Sequence, residues 1–232
     1  SINSTVSANT TSGFSIVTYT GNGSAGATVG HGLGVVPYLI MIKQLNTADS
    51  WYVYHNSLGN TKKLKLNGTD AAAVASNVWN NTSPSSSLFT LGNNSGINTS
   101  SNTYVAYCFN NVQGYSKFGR FTANGSTDNA FVYTGFKPAF VMMKCDNVTD
   151  GWSKWYMFDT ARSPENMNVK ELEANTTAVE SSSGADYAQI DMLSNGFKLR
   201  NGSAWGPASN GNTSVYMAFA EAPLVGSNNV PC

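Results

Sequence analysis

Short apolar runs, separated by turn residues, recur along the whole 232-residue chain. The runs at 38–43 and 139–144 are continuous, which predicts strands that are buried on both faces. Four further runs are rich in the aromatic and β-branched residues that strands favour: 51–54, 104–109, 155–158 and 215–219. Turn residues recur every roughly 8–15 residues, a spacing that is typical of β-sandwiches and jelly rolls.

The same blocks of sequence occur twice, in the same order. Residues 34–43 resemble 135–144, residues 51–54 resemble 155–158, and the last strand of each half also matches. Ordered self-similarity of this kind indicates two copies of one structural unit. We therefore predict an all-β fold with two tandem, similar β-sandwich-like or jelly-roll-like domains and few short helices.

The repeat also predicts the domain boundaries. We expect an N-terminal linker at 1–12, a first domain at 13–113, a second domain at 114–222 and a C-terminal tail at 223–232.

Local signals add turns and helices to this outline. Asn-Gly pairs at 22–23 and 124–125 predict hairpin turns, because both residues tolerate positive φ. Short helices are predicted at 70–76 and at 163–174, where a serine and a proline supply the N-cap and first position. The Ser/Asn/Gly-rich stretch at 84–101 is predicted to be a loop.

The charge balance excludes two classes of function. Lys+Arg and Asp+Glu number 13 each, and charged residues make up 11% of the chain, against roughly 25% in an average domain. A nucleic-acid-binding protein needs a basic face, and so does electrostatic docking on anionic lipid. No apolar run approaches the ~20 residues that span a bilayer. We expect no nucleic-acid partner and no membrane span.

The cysteines and the N-terminus bear on where the chain folds. Three widely spaced cysteines form no disulfide framework, and Cys108 in its apolar run is expected to be a buried thiol. This usage predicts folding in a reducing cytoplasm. The chain begins without an initiator methionine or a signal peptide, so we expect a processed protein or a piece of a longer one.

Several separate blocks resemble a known family. They are 5–9 with 13–15, 29–34 before Pro37, 105–109, 159–162, 194–200 and 217–221. Together they are similar to a domain of unknown function that recurs in virion structural proteins of tailed phages of aquatic bacteria, including cyanophages. The resemblance covers roughly residues 5–230.

The resemblance implies a virion surface protein, in a tail fibre or as a head decoration, that folds in the host cytoplasm and contacts other virion proteins. It supplies no catalytic residues. Two other functions stay open: a lectin-like module that binds host-surface polysaccharide, and a polysaccharide depolymerase. We also predict a homo-oligomer, with the preference for a trimer resting on the viral resemblance alone.

Metal-binding patterns are weak. His31 and His55 have no cysteine or second histidine at zinc-motif spacing. Asp146 and Asp150 stand at positions 1 and 5 of an EF-hand-like stretch, but the third and twelfth positions lack ligands. An Asx turn is the alternative interpretation. We predict no metal and no cofactor.

Catalytic patterns are also absent from the sequence, and we predict no catalytic residue and no enzyme. No nucleophile elbow occurs, and no spacing selects a carboxylate pair for glycoside hydrolysis from Asp146, Asp150, Asp159, Glu165 and Glu171.

Three aromatic residues in predicted loops are candidates for stacking on sugar rings, with core packing or subunit contact as the competing use: Trp152, Tyr187 and Trp205.

Overall fold

The computed structural model describes residues 1–181, 189–201 and 205–221. It confirms the all-β fold, with antiparallel sheets and two short α-helices in the described part of the chain. The chain forms two compact units. Unit 1 comprises Ser1–Asn67 and Ala72–Asn111, and unit 2 comprises Gly68–Ala71 and the described residues from Val112 onward. The division therefore falls two residues before the predicted boundary.

Unit 1 contains two sheets. Its strands are β1 (Ser4–Asn9), β2 (Phe14–Thr20), β3 (Ala27–Gly30), β4 (Leu39–Gln44), β5 (Tyr52–His55), β6 (Lys62–Lys65), β7 (Ala73–Val74), β8 (Leu88–Leu91) and β9 (Thr103–Phe109). The larger sheet has the order β1-β2-β9-β4-β5-β6-β7, and β3 pairs with β8. Helices α1 (Ser76–Trp79) and α2 (Ser95–Asn98) flank β8 in the chain.

Both sheets contribute to one core in unit 1. Ile40 and Tyr54 from the larger sheet cluster with Val29 and Phe89 from the smaller one, and all are at most 1% exposed. Four successive residues of β4 are buried, which confirms a strand covered on both faces. In β2 burial alternates instead, so one face of this strand meets the core and the other meets solvent.

Unit 2 is built in the same manner. Its strands are β10 (Ser116–Thr122), β11 (Phe131–Tyr133), β12 (Phe140–Cys145), β13 (Trp155–Asp159), β14 (Leu172–Glu173), β15 (Ile190–Leu193), β16 (Gly196–Leu199) and β17 (Thr213–Phe219). One sheet has the order β10-β17-β12-β13-β14 and the other β11-β16-β15. A separate core joins them, with Tyr156 and Phe158 from one sheet and Phe197 from the other.

The strand orders of the two units correspond. The order β2-β9-β4-β5-β6 in unit 1 matches β10-β17-β12-β13-β14 in unit 2, and β3-β8 matches β11-β16. The registers correspond as well: Leu39 pairs with Phe109 as Phe140 pairs with Phe219. The two units can therefore be compared position by position.

The predicted linker at 1–12 is wrong for residues 4–9. These residues form β1, which pairs with β2 along its whole length, from Ser4 opposite Tyr19 to Asn9 opposite Phe14. Five of its six side chains are exposed. Backbone hydrogen bonds rather than buried side chains hold this strand, so its polar composition gave no signal.

The predicted Asn-Gly hairpins are also wrong. Gly23 does adopt positive φ (73°), and Ser24 N donates to Asn22 Oδ1 at 2.9 Å in an Asx turn. However, β2 is already paired on both sides, with β1 and β9, so β3 pairs with β8 in the other sheet. The Asn-Gly turn therefore carries the chain from one sheet to the next.

Three other local predictions fail because tertiary pairing overrides local propensity. Residues 70–76 contain β7, and helix α1 begins only at Ser76. Residues 163–174 form no helix, since Asn168 and Glu171 pair with Ile190 and Ser181. The predicted loop at 84–101 contains β8 and α2. Within the residues that are described, no helix is long and apolar enough to cross a membrane.

Candidate functional site

A cavity of about 100 Å³ lies in unit 2 beside β13 and β14, and we call it the Trp152 cavity. Tyr156 and Trp205 supply its aromatic lining. Its charged lining consists of Lys154, Glu171 and Glu173. The remaining lining residues are Trp152, Ala178, Val179 and Ser181.

Strand pairing places the charged and aromatic residues together. Tyr156 on β13 pairs with Glu173 on β14, so both side chains lie on one face of the sheet. Glu171 and Ser181 exchange two backbone hydrogen bonds of 3.1 Å, which hold the segment 178–181 against the end of β14. This segment forms part of the cavity lining, and Val179 within it is 88% exposed.

A tight turn presents Trp152. Asp150 Oδ1 accepts hydrogen bonds from Trp152 N at 2.9 Å and from Ser153 Oγ at 2.8 Å, while Tyr156 Oη donates to Trp152 O at 2.9 Å. A Cβ on Gly206 would lie only 2.7 Å from Trp152 O, so glycine permits this close approach of two loops. The turn is fixed while the indole of Trp152 remains 48% exposed.

The inner aromatic residue carries a hydrogen-bond donor that no group in the described residues accepts. Trp205 is 1% exposed, and its ring stands nearly perpendicular to Tyr156, with centroids 5.1 Å apart. Its Nε1–H has no hydrogen-bond partner within the described part of the chain. Leaving a buried donor unsatisfied costs about 1–3 kcal/mol. A ligand oxygen at this position would recover that cost.

The charged lining is partly neutralised from within. Lys154 Nζ lies 2.5 Å from Glu173 Oε1, and Thr176 Oγ1 donates to Glu173 Oε2 at 2.6 Å. Burial, together with the negative charges of Glu171 and Glu173, raises the pKa of Tyr156 well above its usual value. The phenol therefore stays protonated, and the lining residues that the structure describes include two carboxylates and one ammonium.

The whole site lies within the match to one protein family. A family model described as a domain of unknown function, DUF7483, matches residues 1–223. The chain belongs to the DUF7483 family. No curated protein and no solved structure matches the chain significantly.

The three sugar-contact candidates of this DUF7483 chain have different outcomes. Trp152 lines the cavity and is half exposed, so its ring can meet a ligand. Trp205 lines the same cavity but packs against Tyr156 and Phe158, as the competing interpretation of core packing requires. Tyr187 lies outside the described residues.

The two calcium candidates of the DUF7483 chain each have partners of their own. Asp146 accepts two hydrogen bonds from Arg120, at 2.6 and 2.9 Å, and one from Thr213. Asp150 forms the turn at Trp152, which is the Asx turn left open by the sequence. Among residues 1–181, 189–201 and 205–221, no group of three or more His, Cys, Asp or Glu side chains could hold a metal ion.

Both histidine side chains accept a hydrogen bond from a backbone N–H. His31 is fully buried, Leu33 N donates to its Nδ1 at 3.3 Å, and its Nε2 lies 3.1 Å from Ser85 O. This arrangement assigns the ring proton to Nε2, and burial lowers the pKa of the ring. His55 Nδ1 accepts from Ser57 N at 3.2 Å and caps the 3-10 turn at Asn56–Leu58.

The remaining carboxylates considered for glycoside hydrolysis are dispersed. Asp159 is bound by Arg162 at 2.6 Å, Glu165 is exposed on the surface, and only Glu171 lines the cavity. Lys154, Tyr156 and Glu173 were not predicted from the sequence as site residues. The alternation Glu171-Leu172-Glu173, beside a predicted aromatic strand, was the available signal.

Proposed function

We propose that this DUF7483 chain is a non-enzymatic surface protein of a tailed bacteriophage, in a tail fibre or as a head decoration, and that it works by assembly and host attachment. The phage origin rests on the family resemblance in the sequence. The Trp152 cavity is the observation that supports attachment. Binding sites for small ligands are concave and mainly apolar, with a few polar groups that fix orientation.

The lining suits a carbohydrate better than a flat protein surface. A half-exposed indole offers a stacking face, while Tyr156 and the Nε1–H of Trp205 offer polar groups beside it. Sugars combine apolar ring faces with hydroxyl groups, so they need both kinds of contact. We therefore propose host-surface polysaccharide as the target.

The carboxylates of the cavity are poorly placed for hydrolysis. A glycosidase needs two carboxyl groups that are both free to act on the substrate. Lys154 Nζ lies 2.5 Å from Glu173 Oε1 and Thr176 Oγ1 donates to Glu173 Oε2 at 2.6 Å, so contacts within the chain already occupy both oxygens of this carboxylate. This arrangement supports binding without bond cleavage.

The test is a glycan array with the intact chain and two variants. We expect binding to at least one host-surface polysaccharide, and a loss of roughly two- to twelvefold in Trp152→Ala, since aromatic stacking contributes about 0.5–1.5 kcal/mol. Leu45→Ala, which removes an exposed apolar side chain of unit 1, is the control and should bind normally.

Two outcomes would contradict the proposal. If the chain binds no host polysaccharide and no host cells, the proposed role in host attachment is contradicted. Release of reducing ends from a bound polysaccharide would show that the chain is a depolymerase and not only an attachment protein.

A further inference from the structure

The two units carry opposite charges on equivalent strands, β6 in unit 1 and β14 in unit 2. Residues 62–65 of unit 1 read Lys-Lys-Leu-Lys, and residues 170–173 of unit 2 read Lys-Glu-Leu-Glu. The strand pairing sets this alignment, because Tyr52 pairs with Lys65 as Tyr156 pairs with Glu173. Lys63 and Lys65 therefore stand where unit 2 has Glu171 and Glu173.

In unit 1 strand β6 supplies a cation to the tyrosine ring. Lys63 Nζ lies 4.9 Å from the centroid of the Tyr52 ring. An ammonium at this distance is attracted by the negative face of an aromatic ring. The tyrosine face in unit 1 is thus occupied by a side chain of the same unit.

In unit 2 that cation is replaced by a carboxylate, and a cavity is present. Tyr156 lines the Trp152 cavity, and Glu171, at the position of Lys63, is 4% exposed. Lys154 supplies the ammonium group of the lining. Its Nζ lies 2.5 Å from Glu173 Oε1 and 5.7 Å from the centroid of the Trp152 ring. The described residues of the lining thus place two carboxylates, Glu171 and Glu173, and one ammonium beside the aromatic rings.

We propose that the Trp152 cavity binds the ammonium group of a ligand, and that the ligand is an amino sugar with a free amino group. The proposal rests on the proposed function, since it specifies the sugar that attachment would use. The ammonium meets Tyr156 and Glu171, in the place that Lys63 fills in unit 1. A neighbouring sugar oxygen accepts from the Nε1–H of Trp205, which otherwise has no partner in the described residues.

The size of the cavity limits what enters it. Its volume of about 100 Å³ is smaller than the ~150 Å³ of an engineered cavity that holds benzene. A whole sugar ring is therefore too large, whereas an ammonium substituent fits. The ring itself stays at the mouth, where Trp152 is 48% exposed.

The experiment measures binding of glucosamine, N-acetylglucosamine, glucose and choline to the intact chain by calorimetry at neutral pH. We expect glucosamine to bind at least tenfold more tightly than N-acetylglucosamine or glucose, which share its ring but lack the charge. Choline carries a quaternary ammonium group and no sugar ring, so it distinguishes an amino-sugar ligand from a quaternary ammonium ligand. Weaker choline binding supports the amino sugar, whereas tighter choline binding overturns the sugar assignment in favour of a quaternary ammonium.

Variants at one position provide matched controls. Glu171→Lys recreates the unit 1 arrangement and should lower glucosamine affinity at least tenfold by supplying an internal cation. Glu171→Gln should also lower affinity, and it keeps the inference testable if the lysine variant misfolds. Lys63→Gln, at the equivalent position of unit 1, should leave glucosamine binding unchanged.

Equal affinity for glucosamine and N-acetylglucosamine, or an unchanged affinity in both Glu171 variants, would overturn the inference. In that case a Trp152-dependent array signal for neutral glycans would leave the proposed function standing. If no glycan binds at all, the proposed function fails as well.

Discussion

Lys144 on β12 shows how a single buried charge can be accommodated in unit 2. The side chain is fully buried, and its Nζ donates to Ser153 O at 2.5 Å and to Thr69 O at 3.1 Å. Burial lowers the pKa of Lys144 to about 8, whereas the pKa of a lysine in an unfolded chain is about 10.4. Carbonyl oxygens therefore solvate this ammonium only in part.

The lowered pKa predicts a pH-dependent stability. Between roughly pH 8 and pH 10 the unfolded chain holds more protons on this lysine than the folded chain does, so the free energy of unfolding rises with pH. The Lys144 contribution is about 2–3 kcal/mol over this interval. Urea denaturation of the wild type and of Lys144→Met across these pH values should show the rise only in the wild type. Parallel pH profiles for the two proteins would contradict the assignment.

His31 shows how different side chains can serve one backbone position. Thr134 stands at the equivalent position of unit 2, where its Oγ1 lies 3.4 Å from Phe136 N, much as His31 Nδ1 accepts from Leu33 N. Each side chain accepts a hydrogen bond from the backbone N–H two residues further along the chain. The residue that donates, Leu33 or Phe136, has a buried apolar side chain. This use explains a buried histidine without invoking a metal or a catalytic role.

We predict that His31→Ala lowers the free energy of unfolding by about 1–3 kcal/mol, because a buried N–H loses its acceptor. His31→Thr should recover part of that loss, since threonine does this work in unit 2. Thermal unfolding of the two variants provides the comparison. Equal losses in both would show that the hydrogen bond to Leu33 N contributes little.

At the scale of elements, the sequence predicted strands well and their partners poorly. Runs such as 38–43 and 139–144 carry their own signal, because two buried faces require continuous apolar residues. Pairing depends instead on which edges remain open, and the Asn-Gly turns failed for that reason.

Only those site residues could be predicted whose type and loop position alone suggest ligand contact. Trp152 and Trp205 were predicted because both lie in predicted loops, where aromatic rings can stack on sugars. Lys154, Tyr156 and Glu173 form a site only when β14 pairs with β13 and the segment 178–181 is held against Glu171. The alternation Glu171-Leu172-Glu173 is a local signal for β14, but it does not say which strand β14 pairs with or which segment lies against it.

Strand β16 offers a test of close packing between elements. A Cβ on Gly196 would lie 2.1 Å from Val132 O on the paired strand β11, whereas a Cβ on Gly151 would meet nothing within 4 Å. We predict that Gly196→Ala lowers the stability of unit 2 by about 1–3 kcal/mol through overpacking, and that Gly151→Ala changes it little. Chemical denaturation of both variants tests this, and similar stabilities would show that β11 can move aside.

For the whole molecule, the described surface of unit 2 carries two exposed aromatic side chains on one strand. Phe131 and Tyr133 are 46% and 64% exposed, and they lie two residues apart on β11, hence on one face of the strand. Charged residues make up only 11% of the chain, so electrostatic repulsion between copies is weak. Aromatic residues are enriched in protein interfaces.

We therefore predict a homo-oligomer that uses β11, most simply a closed ring of identical copies, with the trimer favoured by the viral resemblance. Repetition would also strengthen attachment, because linked weak sites bind with avidity. Light scattering at micromolar concentration should give a multiple of the 24.6 kDa chain mass. The double variant Phe131→Ser with Tyr133→Ser should shift the mass toward that of one chain, while Leu45→Ala should not. A wild-type monomer under these conditions, together with single copies on the particle, would contradict assembly through this face.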